Sequence, residues 1–410
     1  MKRILFIVCI LTASFICAIA QTKIHDLRPT VILVSIDGMR YDYIDKYKPE
    51  NLIHIAGRGV RAKWMTPSFP TKTFPNHYTI ATGLYPEHHG IIENNIRDFG
   101  TIFRLSNREE VQNPRWWKGE PIWSTAEKQG VRAAAFFFPG TETEIAGHRP
   151  TFWHEYDGKV PNFDRVDQIL QWLDLPVNER PQIYTLYFSD VDDAGHWFSP
   201  ESKEVQEAIK RVDAAIGRLL TGLKNRGIDK KVNLIIVSDH GMATVYRRNA
   251  VIMDDFFLRE DTEAVLTTGE IWQIFPKPEK FDVIISRLKD IRNARCWAKN
   301  EIPARLHYSA SPRIAPIVCS ADEGWIMLTR DEFSAFQKRP DFDSPRGAHG
   351  YDNAYESMRA IFIAAGPAFR KNFLAEPFEN VEVYNLMCRI LGLRPAPNDG
   401  NLEKVKKMLR

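Results

Sequence analysis

Six acidic and imidazole side chains stand where this sequence could build a metal centre. Three of them follow directly on two apolar runs, two are separated by a four-residue step from aspartate to histidine, and the last lies in a glycine-flanked loop. They are Asp37, Asp192, His196, Asp239, His240 and His349. Three carboxylates and three imidazoles suffice to hold two zinc-class ions, each with a position left open for substrate. Two such ions are a recurrent arrangement for displacement at phosphorus.

Each of these residues also has a plain structural reading. An aspartate after a buried strand often caps the next helix, which is the alternative for Asp37 and Asp239. Asp190 and Asp193 compete with Asp192 as ligands, but only Asp192 stands four residues before His196. The metal hypothesis therefore depends on all the candidates meeting at one place.

A threonine at the start of a predicted helix is the candidate nucleophile. Thr73 precedes Pro75, a residue type favoured in the first turn of a helix, and Gly83 is placed to end that helix. We expect the Thr73 oxygen to face unpaired backbone N–H groups and the positive end of the helix dipole, which favour a negative oxygen and a bound phosphate. Threonine is also an ordinary N-cap, so this stretch alone leaves a structural role open. Metal coordination would activate so weakly acidic a hydroxyl.

The sequence pattern predicts that strands alternating with helices position these side chains. The apolar runs 31–36, 183–188 and 232–238 are typical of strands buried on both faces, and 202–223 has the apolar periodicity of a helix. This pattern predicts an α/β fold with a mostly parallel central sheet, in which ligands bind beyond the carboxyl ends of the strands. Further predicted elements are strands at 131–138 and 360–365 and a closing helix at 381–391.

The N-terminal segment is expected to be a targeting signal and the rest of the chain a folded domain. Lys2 and Arg3 precede an apolar run, and Ala18-Ile19-Ala20 resembles a cleavage signal, so we interpret residues 1–20 as a signal peptide. Residues 21–410 are then one catalytic domain, with an inserted α+β segment at about 250–345, where the strand-end motifs stop. No later segment has the apolar length of a membrane helix. We expect an exported protein, periplasmic or secreted.

The amino-acid composition indicates the class of protein and which binding partners to expect. Hydrophobic residues at 44% and charged residues at 26% indicate an ordinary globular protein, and a formal net charge of +3 gives no reason to expect a nucleic-acid partner. Beyond the leader, the cysteines are Cys296, Cys319 and Cys388. Their spacing is neither that of a zinc finger nor a disulfide framework, and it leaves a Cys296–Cys319 bridge open.

The motifs together resemble one known family. The match runs from about residue 31 to residue 400 and includes Ser35-Ile36-Asp37-Gly38, Pro70 to Tyr78, Thr82 to Ile92, Ser238 to Met242 and His349 to Asn353. On these residues the chain resembles the nucleotide pyrophosphatase/phosphodiesterases of the alkaline phosphatase superfamily. It lacks room for the accessory domains of many animal members, so it looks like the compact bacterial type.

The resemblance implies a fold and a set of roles. The fold would be alkaline-phosphatase-like, with helices on both faces of the sheet. Thr73 would be the nucleophile, bound to a zinc held by Asp37, Asp239 and His240. Asp192, His196 and His349 would hold a second zinc. Asn94 matches a residue that binds a phosphoryl oxygen, and Phe74 and Tyr156 match aromatic positions that sandwich a nucleobase; for Tyr156, simple packing is the alternative.

The function implied is hydrolysis of nucleotide phosphodiester or pyrophosphate bonds through a threonyl-phosphate intermediate. A sulfatase is excluded because the Thr73 motif lacks both the convertible residue and the arginine of that class. Open alternatives are a phosphomonoesterase, a phosphonoacetate-type hydrolase, a phosphodiesterase for lysophospholipid or choline head groups, and an inactive secreted binding protein. The sequence leaves the substrate and the oligomeric state open.

Overall fold

The computed structural model of the protein describes residues 23–98 and 100–410. The predicted signal peptide, residues 1–20, lies outside the described residues. Within the described ranges there are twenty strands and twelve α-helices. The strands are β1 (Thr30–Ile36), β2 (Val60–Ala62), β3 (Met65–Thr66), β4 (Asn95–Asp98), β5 (Thr101–Arg104), β6 (Ala133–Phe136), β7 (Phe152–His154), β8 (Ile183–Phe188), β9 (Val232–Val237), β10 (Ala243–Val245), β11 (Ala250–Ile252), β12 (Thr262–Thr267), β13 (Ile271–Pro276), β14 (Ala294–Ala298), β15 (Ile317–Ala321), β16 (Ile326–Leu328), β17 (Arg346–Ala348), β18 (Phe362–Ala365), β19 (Phe373–Ala375) and β20 (Phe378–Glu379). The helices are α1 (Tyr43–Tyr47), α2 (Glu50–Arg58), α3 (Thr73–Thr82), α4 (Pro86–His89), α5 (Arg108–Val111), α6 (Ile122–Lys128), α7 (Asn162–Leu173), α8 (Asp190–Phe198), α9 (Lys203–Asn225), α10 (Phe281–Leu288), α11 (Arg330–Gln337) and α12 (Glu382–Leu391).

The largest sheet has eight strands in the order β19-β2-β18-β9-β1-β8-β6-β7. β1 lies near its centre, parallel to β9 on one side and to β8 on the other, and β6 and β7 continue the parallel arrangement. Among the described strands of this sheet, β18 alone runs antiparallel to its neighbours. The prediction of a mostly parallel α/β sheet is confirmed.

Helices cover both faces of this sheet. Along β1, Val31 and Leu33 pack into a core with residues of α3, α6 and α12, whereas Ile32 and Val34 pack into a second core with residues of α2, α7 and α9. Successive side chains of a strand point to opposite faces, so a strand with a core on each side must be apolar throughout. This explains the continuous apolar runs in the sequence.

A smaller antiparallel sheet follows later in the chain. Its four strands have the order β12-β13-β15-β14, and they pack with α10 around a separate apolar core. Cys296 of β14 and Cys319 of β15 stand opposite each other and form a disulfide, the bridge that the sequence had left open. The division of the chain into a leader and one catalytic domain with an insertion at 250–345 stays a prediction.

Two strand boundaries differ from the expectation. The strand expected at 131–138 is shorter, Ala133–Phe136, because Phe137 has a φ of 61° and leaves the extended conformation. The strand expected at 360–365 begins at Phe362. In the described ranges, no helix has the length and apolar character needed to cross a bilayer.

Candidate metal centre and active site

The carboxyl ends of β1, β8 and β9 bring the predicted ligands to one edge of the large sheet. Asp37 follows β1, the first turn of α8 carries Asp192 just after β8, and Asp239 lies two residues beyond β9. Because the three strands are parallel neighbours, their ends meet. His349 reaches the same edge from the segment after β17.

Ligand atoms of these residues lie close together in two groups. One ligand atom each of Asp37, His77 and Asp239 lie within 4.8 Å of one another, and so do those of Asp192, His240 and His349. His196 adjoins the second group, with Nε2 at 3.1 Å from Nε2 of His349 and 3.4 Å from Oδ2 of Asp192. All six residues named as ligands are therefore brought together, with His77 in addition.

Hydrogen bonds to backbone carbonyls determine which ring nitrogen of each histidine is free. Nδ1 of His196 lies 3.0 Å from the Gly347 carbonyl, and Nδ1 of His240 lies 2.8 Å from that of Gly241. Nδ1 of His349 likewise lies 2.8 Å from a carbonyl, that of Thr71. A carbonyl oxygen only accepts, so in the neutral ring Nδ1 carries the proton and Nε2 presents its lone pair. This second hydrogen bond is the arrangement that orients metal-binding histidines.

The free lone pairs face carboxylate oxygens that have no donor. Nε2 of His240 lies 3.0 Å from Oδ2 of Asp239 and 3.4 Å from Oδ1 of Asp37. These two oxygens and Oδ1 of Asp192 are buried, and they accept no hydrogen bond from any described residue. Buried acceptors that face one another are costly unless a positive charge lies between them. The donor set therefore fits metal cations.

The electrostatics of the site also favour a bound positive charge. Burial raises the pKa of Asp37 well above its usual range, and the carboxylates of Asp239 and Asp192 add to the effect. Burial alone would lower the pKa of His240, but the attraction of Asp239 and then Asp192 outweighs it and raises the pKa. Burial lowers the pKa of His349, and His240 lowers it further. Asp37 and His240 thus hold protons more readily than usual, at positions where a cation would bind, whereas His349 stays neutral.

Thr73 begins α3, and its hydroxyl points at this centre. Thr73 Oγ1 lies 3.3 Å from Nε2 of His240, and the helix ends at Gly83, as predicted, in the left-handed conformation with a φ of 68°. The expectation of unpaired N–H groups at the helix start is wrong at Phe74, because its N–H donates to Oδ1 of Asn94 at 3.1 Å. Asn94 therefore fixes the first turn and keeps its amide nitrogen as a donor.

The two predicted aromatic residues line one cavity beside Thr73. Phe74 and Tyr156 both border a pocket of about 210 Å³ that also contacts Asp37 and Asp192. Phe74 is half-buried against Trp117, whereas Tyr156 is 41% exposed. The exposed ring argues against a purely packing role for Tyr156 and leaves a face for a planar ligand.

Sequence reasoning missed two residues that support the ligands. His77 lies four residues after Thr73 on α3; its Nδ1 donates to the Thr73 carbonyl at 2.9 Å, and its Nε2 accepts from the Ser35 hydroxyl at 2.8 Å. Both nitrogens are occupied, so we interpret His77 as a support of the site and not as a ligand. Tyr187 of β8 donates its hydroxyl to Oδ2 of Asp37 at 2.6 Å. The four-residue step from Thr73 could have pointed to His77, whereas no sequence signal marks Tyr187.

Comparisons with known proteins agree with this geometry. A family model described as type I phosphodiesterase / nucleotide pyrophosphatase matches residues 31–352. Ectonucleotide pyrophosphatase/phosphodiesterase family member 3 of Rattus norvegicus is 38% identical over 395 residues, which cover 93% of this chain and 44% of the relative. An uncharacterized pyrophosphatase/phosphodiesterase of Schizosaccharomyces pombe is 41% identical over 393 residues, covering 91% of this chain and 79% of the relative. The chain spans about half the length of the curated animal relatives that it matches.

A solved structure shows the same architecture. Murine ectonucleotide pyrophosphatase/phosphodiesterase 5 superposes with a TM-score of 0.86 at 34% identity, over 93% of this chain and 100% of the murine one. An inactive variant of the murine protein in complex with AMP superposes with a TM-score of 0.85 at the same identity, over the same shares of the two chains.

The sheet and the donor set at its edge define an α/β protein of the alkaline phosphatase superfamily, with candidate ligands for metal ions. Within that superfamily, the chain belongs to the type I phosphodiesterase / nucleotide pyrophosphatase family.

Proposed function

We propose that the protein is a two-zinc phosphodiesterase/nucleotide pyrophosphatase that hydrolyses nucleotide phosphodiester or pyrophosphate bonds through a threonyl-phosphate intermediate. The observation that carries this proposal is the position of the Thr73 hydroxyl, 3.3 Å from a histidine nitrogen whose lone pair faces unpaired buried carboxylate oxygens. A nucleophile beside a cation-demanding cluster suits displacement at phosphorus.

The residues divide between two ions as follows. Asp37, Asp239 and His240 would hold one ion together with Thr73, and Asp192, His196 and His349 would hold the other. Distance alone groups His240 with Asp192 and His349, and places His77 with Asp37 and Asp239. We favour the first division because both nitrogens of His77 are already hydrogen-bonded, whereas His240 Nε2 also reaches Asp37. The ions would supply positive charge that favours a deprotonated threonine and neutralises charge on phosphate oxygens.

The chain's own groups then perform two in-line displacements. The Thr73 oxygen forms a bond to phosphorus while the bond to the leaving oxygen breaks on the opposite side. Water then attacks the threonyl phosphate and returns Thr73 to its starting state. The Asn94 amide nitrogen is free to donate to a non-bridging oxygen, where charge increases during transfer. The fixed contact of Asn94 with the Phe74 N–H holds that donor beside the nucleophile.

A nucleotide is the substrate class best supported. Phe74 and Tyr156 border the same cavity as Thr73, and they offer aromatic faces for a base. The murine relative whose inactive variant was solved with AMP shares the fold over 93% of this chain. A lysophospholipid or choline head group remains the alternative diester.

Export is proposed on two grounds. Cys296 and Cys319 form a disulfide, which persists in oxidising compartments. Relatives are named as ectonucleotide enzymes and as a venom phosphodiesterase. We propose a periplasmic or secreted location.

The test measures zinc-loaded protein on the p-nitrophenyl ester of thymidine 5′-monophosphate and on p-nitrophenyl phosphate. We expect preference for the diester, loss of activity with a chelator, and a decrease in kcat on the order of 10³-fold or more in Thr73→Ala, because the nucleophile is gone. Thr73→Ser should keep part of the activity. Thr221→Ala, at an exposed threonine of α9, is the matched control and should change nothing.

Three outcomes would contradict the proposal. Preference for the monoester would make the protein a phosphatase on the same fold. Undiminished diester turnover in Thr73→Ala would remove the nucleophile from the mechanism. Absence of turnover on both esters, with two zinc ions bound, would indicate another head group or a binding protein.

A further inference from the structure

The amino ends of the parallel strands form a second edge of the large sheet, opposite the candidate metal centre. β1, β6, β8 and β9 begin at this edge, and antiparallel β18 ends there. We call the surface at this edge the basal face. Basic side chains are exposed in the segments beside these strand ends, before β1, before β9 and after β18. They include Lys23, Arg28, Lys230, Lys231, Arg370 and Lys371.

Hydrogen bonds join these segments into one surface. Lys23 donates from Nζ to the last carbonyl of α9 at 2.8 Å. Asn233, near the start of β9, links the two neighbouring segments: its Nδ2 donates to the Thr30 carbonyl at 3.3 Å, and its Oδ1 accepts from the Ala368 N–H at 2.9 Å. The Arg410 N–H donates in turn to the Ala368 carbonyl at 3.0 Å. The basic residues beside these contacts therefore lie on the same side of the molecule.

Few carboxylates offset the positive charge of the basal face. Asp26 and Asp174 each pair with an arginine of the same face, at 2.8 Å and 2.5 Å. Glu179 and Asp229 are the carboxylates beside these strand ends that pair with no described residue. In the part of the chain that the structure describes, the cations named above also form no ion pair. Because the whole chain has a formal net charge of only +3, its positive charge is concentrated on this face.

The chain enters the described structure at the basal face. Lys23, the first described residue, lies there, and the sequence before it contains the apolar run 4–19, which we interpret as part of a signal peptide. A leader that lies in a bilayer would thus join the folded protein at its most basic surface. Basic residues next to a membrane segment are attracted to anionic lipids. The position of Lys23 therefore favours a lipid surface over a nucleic acid as the anionic partner.

The candidate active site lies at the other end of the molecule. α9 connects the two ends: its first residue, Lys203, borders the same groove as Asp193 of α8, and its last turn reaches the basal face. The helix has 23 residues, which corresponds to a length of about 35 Å. A surface that binds the basal face therefore leaves Thr73 open to the solution.

We propose that the basal face binds the surface of a bilayer that contains anionic phospholipids. Its lysine and arginine side chains lie near the lipid phosphates, and the edge with the candidate metal centre faces away from the membrane. Each basic residue close to such a surface strengthens membrane partitioning about fivefold. The attraction acts over about 10 Å at 0.1 M salt and becomes weaker as salt is added. This docking does not depend on the proposed function.

The test measures flotation of the exported protein, without residues 1–20, on two kinds of vesicle. One contains equal parts of phosphatidylglycerol and phosphatidylcholine, and the other contains phosphatidylcholine alone. The basal variant carries Arg28→Gln, Lys230→Gln, Lys231→Gln and Lys371→Gln. These side chains are exposed and make no hydrogen bond to a described residue, so the variant should fold.

We expect the wild type to bind the anionic vesicles only, and to be released as the salt concentration increases. The basal variant should partition onto these vesicles more weakly, on the order of 10²-fold. Equal binding of the wild type to both kinds of vesicle would overturn the proposal, as would failure to bind either kind. Undiminished binding of the basal variant would contradict it as well.

A matched control removes the same number of lysines and arginines elsewhere. Lys277→Gln, Lys289→Gln, Arg292→Gln and Lys338→Gln replace exposed cations that follow β13, α10 and α11 or precede β14. This variant has the same net charge as the basal variant and should bind the anionic vesicles like the wild type. An equal loss in both variants would mean that net charge alone governs binding, and would refute docking by the basal face.

The orientation is measured by labelling lysine amines with and without anionic vesicles. Lys230 and Lys371 should be protected from acylation on the vesicles, whereas Lys277 and Lys289 should stay reactive. The opposite pattern would show that another surface faces the lipid. A short duplex DNA provides the competing partner. If the wild type binds DNA more tightly than the anionic vesicles, and the basal variant loses that binding, the face belongs to a nucleic acid and the lipid proposal is wrong.

Discussion

At the scale of single residues, the structure uses histidine in two ways. In the candidate metal centre, His196, His240 and His349 each bond to a backbone carbonyl through Nδ1, which leaves Nε2 for a cation. His89 is a different case. Its Nδ1 accepts from the Ile91 N–H at 3.2 Å, so its proton is on Nε2, which lies 3.0 Å from the Thr79 hydroxyl oxygen. This ring is buried, neutral and already saturated with hydrogen bonds.

Because His89 is buried as a neutral ring, we expect the stability of the folded protein to depend on pH. Burial lowers its pKa to about 3 in the folded protein, against about 6.5 in the unfolded chain. Above pH 6.5 both states are neutral; between about 6.5 and 3 only the unfolded state binds the proton, so stability is lost as the pH falls through this window. From about pH 7.5 to about pH 5, the free energy of unfolding should fall about 2 kcal/mol more in the wild type than in His89→Gln.

Urea unfolding at the two pH values gives the measurement. Glutamine can keep both hydrogen bonds but does not titrate. His54→Gln, at an exposed position of α2, is the control and should keep the wild-type pH dependence. Parallel pH profiles for the wild type and His89→Gln would show that His89 does not titrate differently in the two states.

At the scale of secondary-structure elements, α3 carries the proposed nucleophile, Thr73, as its first residue and is ended by a glycine. Gly83 has a φ of 68°, and a Cβ added there would lie 3.1 Å from Asn398 Oδ1 and from Tyr384 Cβ. Gly392 ends α12 with nearly the same conformation, a φ of 70°, but an added Cβ would meet nothing within 4 Å. The two glycines separate the conformational penalty from the packing penalty.

We therefore expect Gly83→Ala to destabilise the protein more than Gly392→Ala. The left-handed conformation costs about 1 kcal/mol for alanine at either site, and the close contacts at Gly83 should raise the loss to about 2 kcal/mol. Free energies of unfolding from urea titrations measure both values. Equal losses would mean that Tyr384 and Asn398 move aside at no cost.

The sequence predicts these elements better than it predicts the contacts between them. The strands ending near Asp37, Asp192 and Asp239 follow from apolar runs, and α3 follows from Pro75 and Gly83, because each signal is local. Tyr187 was not predictable as the partner of Asp37, since alternation along β8 does not tell which strand lies beside it. The pairing of the Phe74 N–H with Asn94 was missed for the same reason: it joins residues that only the fold brings together.

At the scale of the whole molecule, a buried ion pair connects α3 to the four-stranded antiparallel sheet. Lys72, the residue before Thr73, donates from Nζ to Glu270 Oε2 at 2.6 Å and to the His349 carbonyl at 2.8 Å. Glu270 immediately precedes β13 of the smaller sheet. The side chains are only 5% and 10% exposed. The contact joins the start of α3, the candidate ligand His349 and the second sheet.

Breaking this pair from one side should be costly. Glu270→Gln leaves the buried Lys72 ammonium without its carboxylate, and such losses amount to about 3–5 kcal/mol. We expect the lower value, about 3 kcal/mol, because the buried carboxyl of Glu93 is near enough for Lys72 to lower its pKa, although burial raises that pKa overall. Replacing both residues, in Lys72→Met with Glu270→Gln, removes the unpaired charge and should restore most of the lost stability.

Urea unfolding of the wild type, the two single variants and the double variant forms a double-mutant cycle, in which a coupling energy well above about 1 kcal/mol is expected. Additive losses would show that the pair contributes no more than an exposed ion pair, and that packing alone holds the second sheet against α3.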